Sequence, residues 1–248
     1  MGRQGGAHDE RVRRLAAVLA QHGPPPGPSF PCAYLPGREA RQVLIAIEQP
    51  PPGTYHALMD LNFRRLGRVF YRPECQGCQE CRMIRVPVAG FRPARAQRRC
   101  WARNADLTVS VERPAATPEK HELYRRYLEA RHEGQMDGSS EEFEGFLYTS
   151  CLETVEVVYR LEGRVVAVGI ADAEPQAWSA VYCYFDPSLD RRALGVFNVL
   201  WLIEECRRRG VPHLYLGFYV QECSRMSYKA GYRPHEILRG GTGWVAGA

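Results

Sequence analysis

Lysine is almost missing from this chain: Lys120 and Lys229 stand alone beside 31 arginines in 248 residues. So lopsided a choice of basic residue reflects nucleotide composition and excludes no function by itself. Long apolar runs are missing too. The stretch Leu15 to Ala20 falls far short of the ~20 residues a spanning helix needs, and no small-residue cleavage pattern follows it, so neither an anchor nor an export signal is expected. Nine cysteines is an odd number, and Cys100, Cys151, Cys183 and Cys206 lie in apolar or helical contexts. A reduced, cytoplasmic protein is therefore expected rather than a disulfide framework. No repeat with a period of about 20–50 residues is visible, which excludes solenoids and propellers.

What is present is an ordinary globular composition, 45% hydrophobic and 25% charged. The length allows one large domain or two. The net charge of +5 hides an uneven distribution. From Leu61 to Ala105 there are eleven arginines against Glu74 and Glu80, a charge of +9, so the rest of the chain sums to −4. An electrostatic partner should meet that block.

Helical spacing runs from Asp9 to Gln21 and ends at the stiff run Gly23 to Pro28. A helix is expected over Tyr55 to Leu66, strands at Val69 to Arg72 and Met83 to Val88, a basic helix over Arg95 to Asn104 and a strand at Leu107 to Glu112. Pro114 to Pro118 marks a junction before a polar helix, Glu119 to His132. His132 has no serine or cysteine motif around it and reads as a surface or structural histidine. The second half predicts strands at Val155 to Leu161, Val165 to Ala171 and Trp178 to Phe185, then a helix over Leu194 to Arg209. A strand from His213 to Val220, a short helix from Ser224 to Ala230 and a last extended piece from Tyr232 complete it.

The division expected from this is 1–29 as helix and proline-rich linker, 30–115 as a Cys-cluster and Arg-rich domain, 116–240 as a mixed-sheet domain, and 241–248 as a loose tail. The fold class is α+β. The order of elements in 116–240 resembles the acyltransferase (GNAT-like) fold of N-acetyltransferases. Members of that fold bind coenzyme A on a glycine-rich turn before the long helix. Here the turn reads Arg191-Arg192-Ala193-Leu194-Gly195, with one glycine in place of the usual pair, which counts against coenzyme A.

Three features carry chemistry. Cys75, Cys78 and Cys81 form a C-x-x-C-x-x-C, a spacing at which thiolates can converge on a metal, with Cys32 as candidate fourth ligand. Zinc and an iron–sulfur cluster are both open, as are three incidental thiols in a turn. Next, Phe91 to Asn104 holds five arginines and no acid. Arg95, Arg98, Arg99 and Arg103 fall largely on one side of a helix, and Phe91 and Trp101 offer rings for bases. A nucleic acid is the expected partner, a solvated basic face the ordinary alternative. Finally, Leu216 to Pro234 leaves an apolar strand and crowds Tyr, Cys, Ser, Lys and Arg into one corner.

At these residues the chain resembles the aminoacyl-tRNA–protein transferases of the N-degron pathway. The resemblance runs from Cys32 to about Pro234. It includes Pro31-Cys32-Ala33-Tyr34-Leu35-Pro36, Tyr71-Arg72-Pro73 with Cys78, Ile84-Arg85, Arg95 to Leu107, Gly163 to Gly169 and Phe185-Asp186-Pro187. Gly217-Phe218-Tyr219-Val220, Met226-Ser227-Tyr228-Lys229 and Tyr232-Arg233-Pro234 are the most specific part. The eukaryotic branch, which moves arginine, has a second cysteine where this chain has Leu35 and adjacent cysteines where it has Cys78-Gln79. The length and the cysteine spacing are closer to the bacterial aspartate/glutamate leucyltransferase branch.

The resemblance implies transfer of leucine from leucyl-tRNA to the α-amine of proteins beginning with Asp or Glu, with no cofactor needed for the chemistry. Tyr219, Tyr228 and Lys229 are then candidates for ester or oxyanion contacts. Lys229, Arg225 or Arg85 would meet the acceptor carboxylate, and Arg95, Arg98, Arg99, Arg103 and Asn104 the tRNA. Arginyl transfer, a coenzyme A-dependent N-acetyltransferase and a non-catalytic RNA-binding metal module are the competing readings.

Overall fold

Three valine-rich segments build the centre of the molecule. Strands β8 (Thr154–Leu161), β9 (Arg164–Glu174) and β10 (Ala177–Phe185) run antiparallel, with Thr154 opposite Asp172 and Ala177 opposite Glu174. Because β9 is buried along almost its whole length, both its faces need cover. Helix α6 (Leu194–Arg209) packs Phe197, Leu200 and Ile203 onto Val157, Tyr159 and Val166 on one side. On the other side α4 (Pro118–Arg131) and the short α5 (Ser140–Phe143) set Leu123, Tyr124, Leu128 and Phe143 against Val158, Val165, Val168 and Ile170. Alternate residues of each strand therefore feed two separate cores.

The computed structural model describes residues 2–131, 138–240 and 243–247. Among them no helix is long and apolar enough to cross a membrane. The remaining strands are β1 (Phe30–Pro31), β2 (Glu39–Ala40), β3 (Gln42–Ala46), β4 (Arg64–Leu66), β5 (Val69–Pro73), β6 (Arg82–Pro87), β7 (Thr108–Glu112), β11 (His213–Tyr219), β12 (Glu236–Arg239) and β13 (Gly243–Ala246). The remaining helices are α1 (Gly2–His22), α2 (Thr54–Asp60), α3 (Arg95–Arg103) and α7 (Ser224–Ser227). Eight strands form one mixed sheet in the order β13-β12-β6-β11-β10-β9-β8-β7, while β3-β5-β4 form a small sheet beside it.

Strands β10 and β11 are parallel neighbours only over Ala177 to Ser179 and His213 to Tyr215. Beyond that β10 continues along β9 and β11 along β6, so the sheet splays between them. That splay positions the site.

Three expectations need correction. The stretch 30–115 does not stand apart: β6 inserts between β11 and β12, β7 closes the other edge, and Phe91 and Cys100 enter the same core as α6. The β6 pairings join residues more than a hundred positions apart, which no local pattern reports. The helix expected to reach Leu66 stops at Asp60, because Asn62 adopts a positive φ of 67° and its carboxamide bonds the Cys81 carbonyl and the Met83 amide, at 2.9 and 2.8 Å. The glycine-rich tail is not loose over Gly243–Ala246; it pairs with β12, and the Trp244 indole N–H donates to Asp60 at 3.1 Å. His132 and the ends of that tail lie outside the described residues.

Candidate active site between the splayed strands

Where β10 and β11 part, a cavity of about 990 Å³ opens. Val181, Phe185, Val196, Val199, Leu216 and Met226 give it an apolar wall. Its charged lining among the described residues is Arg64, Arg131, Arg225 and Lys229, with no carboxylate. Arg131 is already paired with Asp190 at the surface, and Arg225 donates to the Ala33 carbonyl at 2.8 Å. Arg64 and Lys229 have no acidic partner among the described residues.

Arg64 comes from β4, in the first half of the chain, and reaches the cavity past β11. Gly217 lets it through. A Cβ there would meet Arg64 Cζ at 2.8 Å, and the backbone has a φ of 78°, which side-chain-bearing residues avoid. The β11–β6 register breaks between Tyr215 and Phe218 at this same point. Arg64 Nη2 donates to the Val181 carbonyl at 3.2 Å, and the guanidinium stands 5.7 Å from the Phe218 ring centre.

Lys229 lies one turn beyond α7 and is only 7% exposed. Its Nζ donates to the Phe218 carbonyl at 2.6 Å. Burial, then the positive charge of Arg64, lower its pKa to about 7. Asn198 of α6 also lines the cavity and is 2% exposed. The basic helix α3 abuts the rim: the Cys100 thiol and the Asn104 amide donate to the Arg192 carbonyl, and Cys100 also contacts the carbonyl of Ala193, a lining residue.

Residues 30–99 match the family model described as arginine-tRNA-protein transferase, N terminus, and residues 119–239 match its C-terminus counterpart. Proteins named aspartate/glutamate leucyltransferase are similar over most of the length. The one from Chromobacterium violaceum is 39% identical over 92% of this chain and 96% of its own. That from Pseudomonas putida is 44% identical over 84% of this chain and 89% of its own, and that from Halorhodospira halophila 43% over 87% and 93%. The chain belongs to the aminoacyl-tRNA–protein transferase family. A solved GCN5-related N-acetyltransferase from Kribbella flavida superposes with a TM-score of 0.38 at 15% identity, over 79% of this chain and 66% of that one, too remote to fix a shared fold.

The candidates read from the sequence scatter over the transferase. Lys229, Arg225 and the half-exposed Tyr228 line the cavity. Tyr219 packs into the core shared with α6 and does not line it. Arg85 is turned away: its Nε donates to Glu236 at 2.7 Å, its Nη1 to the Tyr215 hydroxyl at 3.0 Å, and its guanidinium stacks 3.9 Å from the Trp244 ring centre. Asn104 is 1% exposed and its amide serves Cys100 and Arg192 carbonyls, so it cannot reach a tRNA. Arg95, Arg98, Arg99 and Arg103 are exposed on α3, with Arg103 also donating to the Arg191 carbonyl. Arg64 and Asn198 also line the cavity and are not among the candidates read from the sequence. An isolated glycine inside an apolar strand, Gly217, was the available signal for the first.

The cysteines gather on neighbouring segments. Cys75 and Cys78 face each other across a bridge, and the Leu35 and Arg41 amides point at Cys32 and Cys75 sulfurs, at 3.4 and 3.5 Å. Burial, with Cys32, Cys75 and Cys78 nearby, pushes the Cys81 thiol up to about 12. Among the described residues no three of these sulfurs lie within 4.8 Å of one another. A single zinc with bonds of about 2.3 Å holds its sulfurs about 3.8 Å apart, closer than this set stands.

His8, His56 and Asp60 do bring ligating atoms within 4.8 Å. The His8 and His56 rings are stacked, however, 3.8 Å apart at 22°, so their in-plane lone pairs run nearly parallel rather than converging on one ion. His8 bonds Asp60 at 2.9 Å, which ties α1 to α2.

Proposed function

We propose that the protein transfers leucine from leucyl-tRNA to the α-amine of proteins that begin with Asp or Glu, marking them for N-degron degradation in the cytoplasm. The observation that carries this is the cavity whose described charged lining is cationic throughout, with an apolar wall beside it. An acidic first residue finds a counter-charge in half-buried Arg64 and in Arg225. A leucyl side chain finds apolar cover. An arginyl donor would bring a further guanidinium among cations with no acid to meet it, which favours leucine over arginine. Family membership and the names of the relatives support the same reading. The splayed β10–β11 pair and the α6 crossover are consistent with a GNAT-like transfer domain.

The α3 face, adjoining the cavity rim, suits the acceptor stem of the tRNA, with Trp101 able to stack on an unpaired base. The aminoacyl ester is already activated, so neither ATP nor coenzyme A is required. The acceptor α-amine has an ordinary pKa of about 7.7–8.0 and is partly neutral near pH 7. Lys229, itself neutral above about 7, donates one N–H to the Phe218 carbonyl and keeps its lone pair for the proton that the attacking amine loses. Tyr228 at the rim orients the ester.

Cys32, Cys75, Cys78 and Cys81 form a thiolate-rich donor set with amide N–H groups aimed at two of its sulfurs, the chemistry of an iron–sulfur cluster or a zinc site. Such a group would lock the N-terminal segment onto the Cys75–Cys81 turn. The deciding experiment supplies a peptide beginning with Glu together with labelled leucyl-tRNA, labelled arginyl-tRNA or labelled acetyl-coenzyme A. Label should move from leucyl-tRNA. Movement from arginyl-tRNA or acetyl-coenzyme A instead, or tRNA binding without transfer, would replace this reading.

A further inference from the structure

Asn198 is buried in α6, and a polar side chain there needs a reason. Part of the reason is a buried phenol. The buried Tyr159 hydroxyl donates to Asn198 Oδ1 at 2.9 Å. A buried phenol must place its proton on an acceptor, so this bond sets which way the carboxamide faces. Gly169 makes room for it: a Cβ there would meet Oδ1 at 2.0 Å and Cγ at 2.9 Å. Two strands are thus shaped around one amide. Its oxygen is consumed, and its Nδ2 has no hydrogen-bond partner among the described residues although the side chain lines the cavity. The amide is left as a neutral, donor-only group facing the space where the strands part.

We infer that Asn198 is a catalytic residue whose Nδ2–H donates to the carbonyl oxygen of the leucyl ester and stabilises the oxyanion as the α-amine adds. This rests on the leucyl-transfer reading above. In the step, the amine lone pair forms the N–C bond and the C=O π pair moves onto oxygen, opposite Asn198. Re-forming the carbonyl expels the ribose oxygen of the tRNA terminus, and the proton that the amine gives to Lys229 is passed on to that oxygen. One N–H is lost and one O–H gained. A neutral donor suits an oxygen that begins uncharged, whereas a cation would bind the ground state and draw the acceptor carboxylate instead. Orientation by Tyr159 fixes the donor in advance.

The test must separate this role from merely satisfying Tyr159. Tyr159→Phe removes that need, and Tyr159→Phe with Asn198→Leu leaves an apolar pair with no buried polar atom unpaired. With purified full-length protein, labelled leucyl-tRNA and a Glu-peptide, Tyr159→Phe should lose several-fold in single-turnover rate. The double variant should lose on the order of 10²-fold or more, the scale for one oxyanion donor. Its KM for peptide, its leucyl-tRNA affinity and its melting temperature should match those of Tyr159→Phe. A double variant that transfers within a few-fold of Tyr159→Phe would overturn the role of Asn198 alone. A wild-type protein that moves no leucine would overturn the leucyl reading and this inference with it.

Discussion

The guanidinium of Arg64 occupies the volume that a side chain on Gly217 would require, so a strand from the first half of the chain reaches the cavity only because β11 carries no Cβ at that point. Two substitutions probe the pair. Gly217→Ala should destabilise by ~1–2 kcal/mol from the positive φ alone and displace Arg64, read as a lower urea midpoint with a raised KM for acidic acceptors. Arg64→Met should leave folding in place while the preference for a Glu- over a Gln-peptide drops on the order of 10- to 100-fold, the worth of a charge-assisted hydrogen bond. Retention of full preference would move the acceptor carboxylate to Arg225.

Much of this molecule was legible beforehand. The β8–β9 hairpin, α6 and β11 announce themselves because valine and leucine periodicities are local and turns lie between them. Lys229 and Arg225 were legible for the same reason, since they follow directly from a strand end. Arg64 was not, because nothing near it in sequence says that β4 lies against β11. Arg85 and Asn104 show the converse: their residue types fit a substrate, but Glu236 and the Arg192 carbonyl, both distant in sequence, claim them first. Side-chain chemistry is written in the sequence; which partner arrives first is written in the topology.

The α3 arginines should govern tRNA affinity through counterion release. Replacing Arg98 and Arg99 together by Ala should weaken binding and lower the slope of log affinity against log salt by about 1.4–1.8, at about 0.7–0.9 per phosphate contact. Since both are exposed, the melting temperature should stay put. An unchanged salt slope in a filter-binding titration would place the tRNA elsewhere.

Anaerobically purified protein should carry iron and acid-labile sulfide bound through Cys32, Cys75, Cys78 and Cys81, and Cys78→Ala with Cys81→Ala should abolish the visible absorption. Metal analysis that finds zinc at one equivalent would reassign the group, and full transfer by a protein free of both would separate it from catalysis.

Acid should weaken the docking of α1 and α2. Burial lowers His56 to about 3 and His213 to about 4, with His8 and Arg85 adding and Asp60 and Glu236 opposing. The unfolded chain takes up these protons near pH 6.5 and the folded chain does not, so stability is fully present above 6.5 and is lost as pH falls toward 4 and 3. Each histidine contributes a slope of up to about 1.4 kcal/mol per pH unit in that window. Urea unfolding of His56→Phe at pH 7 and pH 5 should show a smaller difference than the wild type.

Lys229 gives the sharpest pH test of the chemistry. Its folded pKa of about 7 lies below the ordinary 10.5. The unfolded chain binds the extra proton between these values, so Lys229 makes stability rise with pH from 7 toward 10.5. Lys229→Met keeps the stem, removes the desolvated amine and should remove that rise without lowering stability at neutral pH. Transfer by the wild type should climb through pH 7 as the lysine becomes neutral, then again as the acceptor amine does. Lys229→Met should lose on the order of 10²–10⁴-fold, the range for a positioned base, and retain only the amine's titration. Lys229→Arg distinguishes the two roles a cationic side chain can have here. An oxyanion donor would be partly restored by arginine, whereas a proton acceptor would not, because a guanidinium keeps its proton at every pH tested. No rescue is the expected result. Recovery by Lys229→Arg would instead put Lys229 on the ester oxygen and leave proton removal to water.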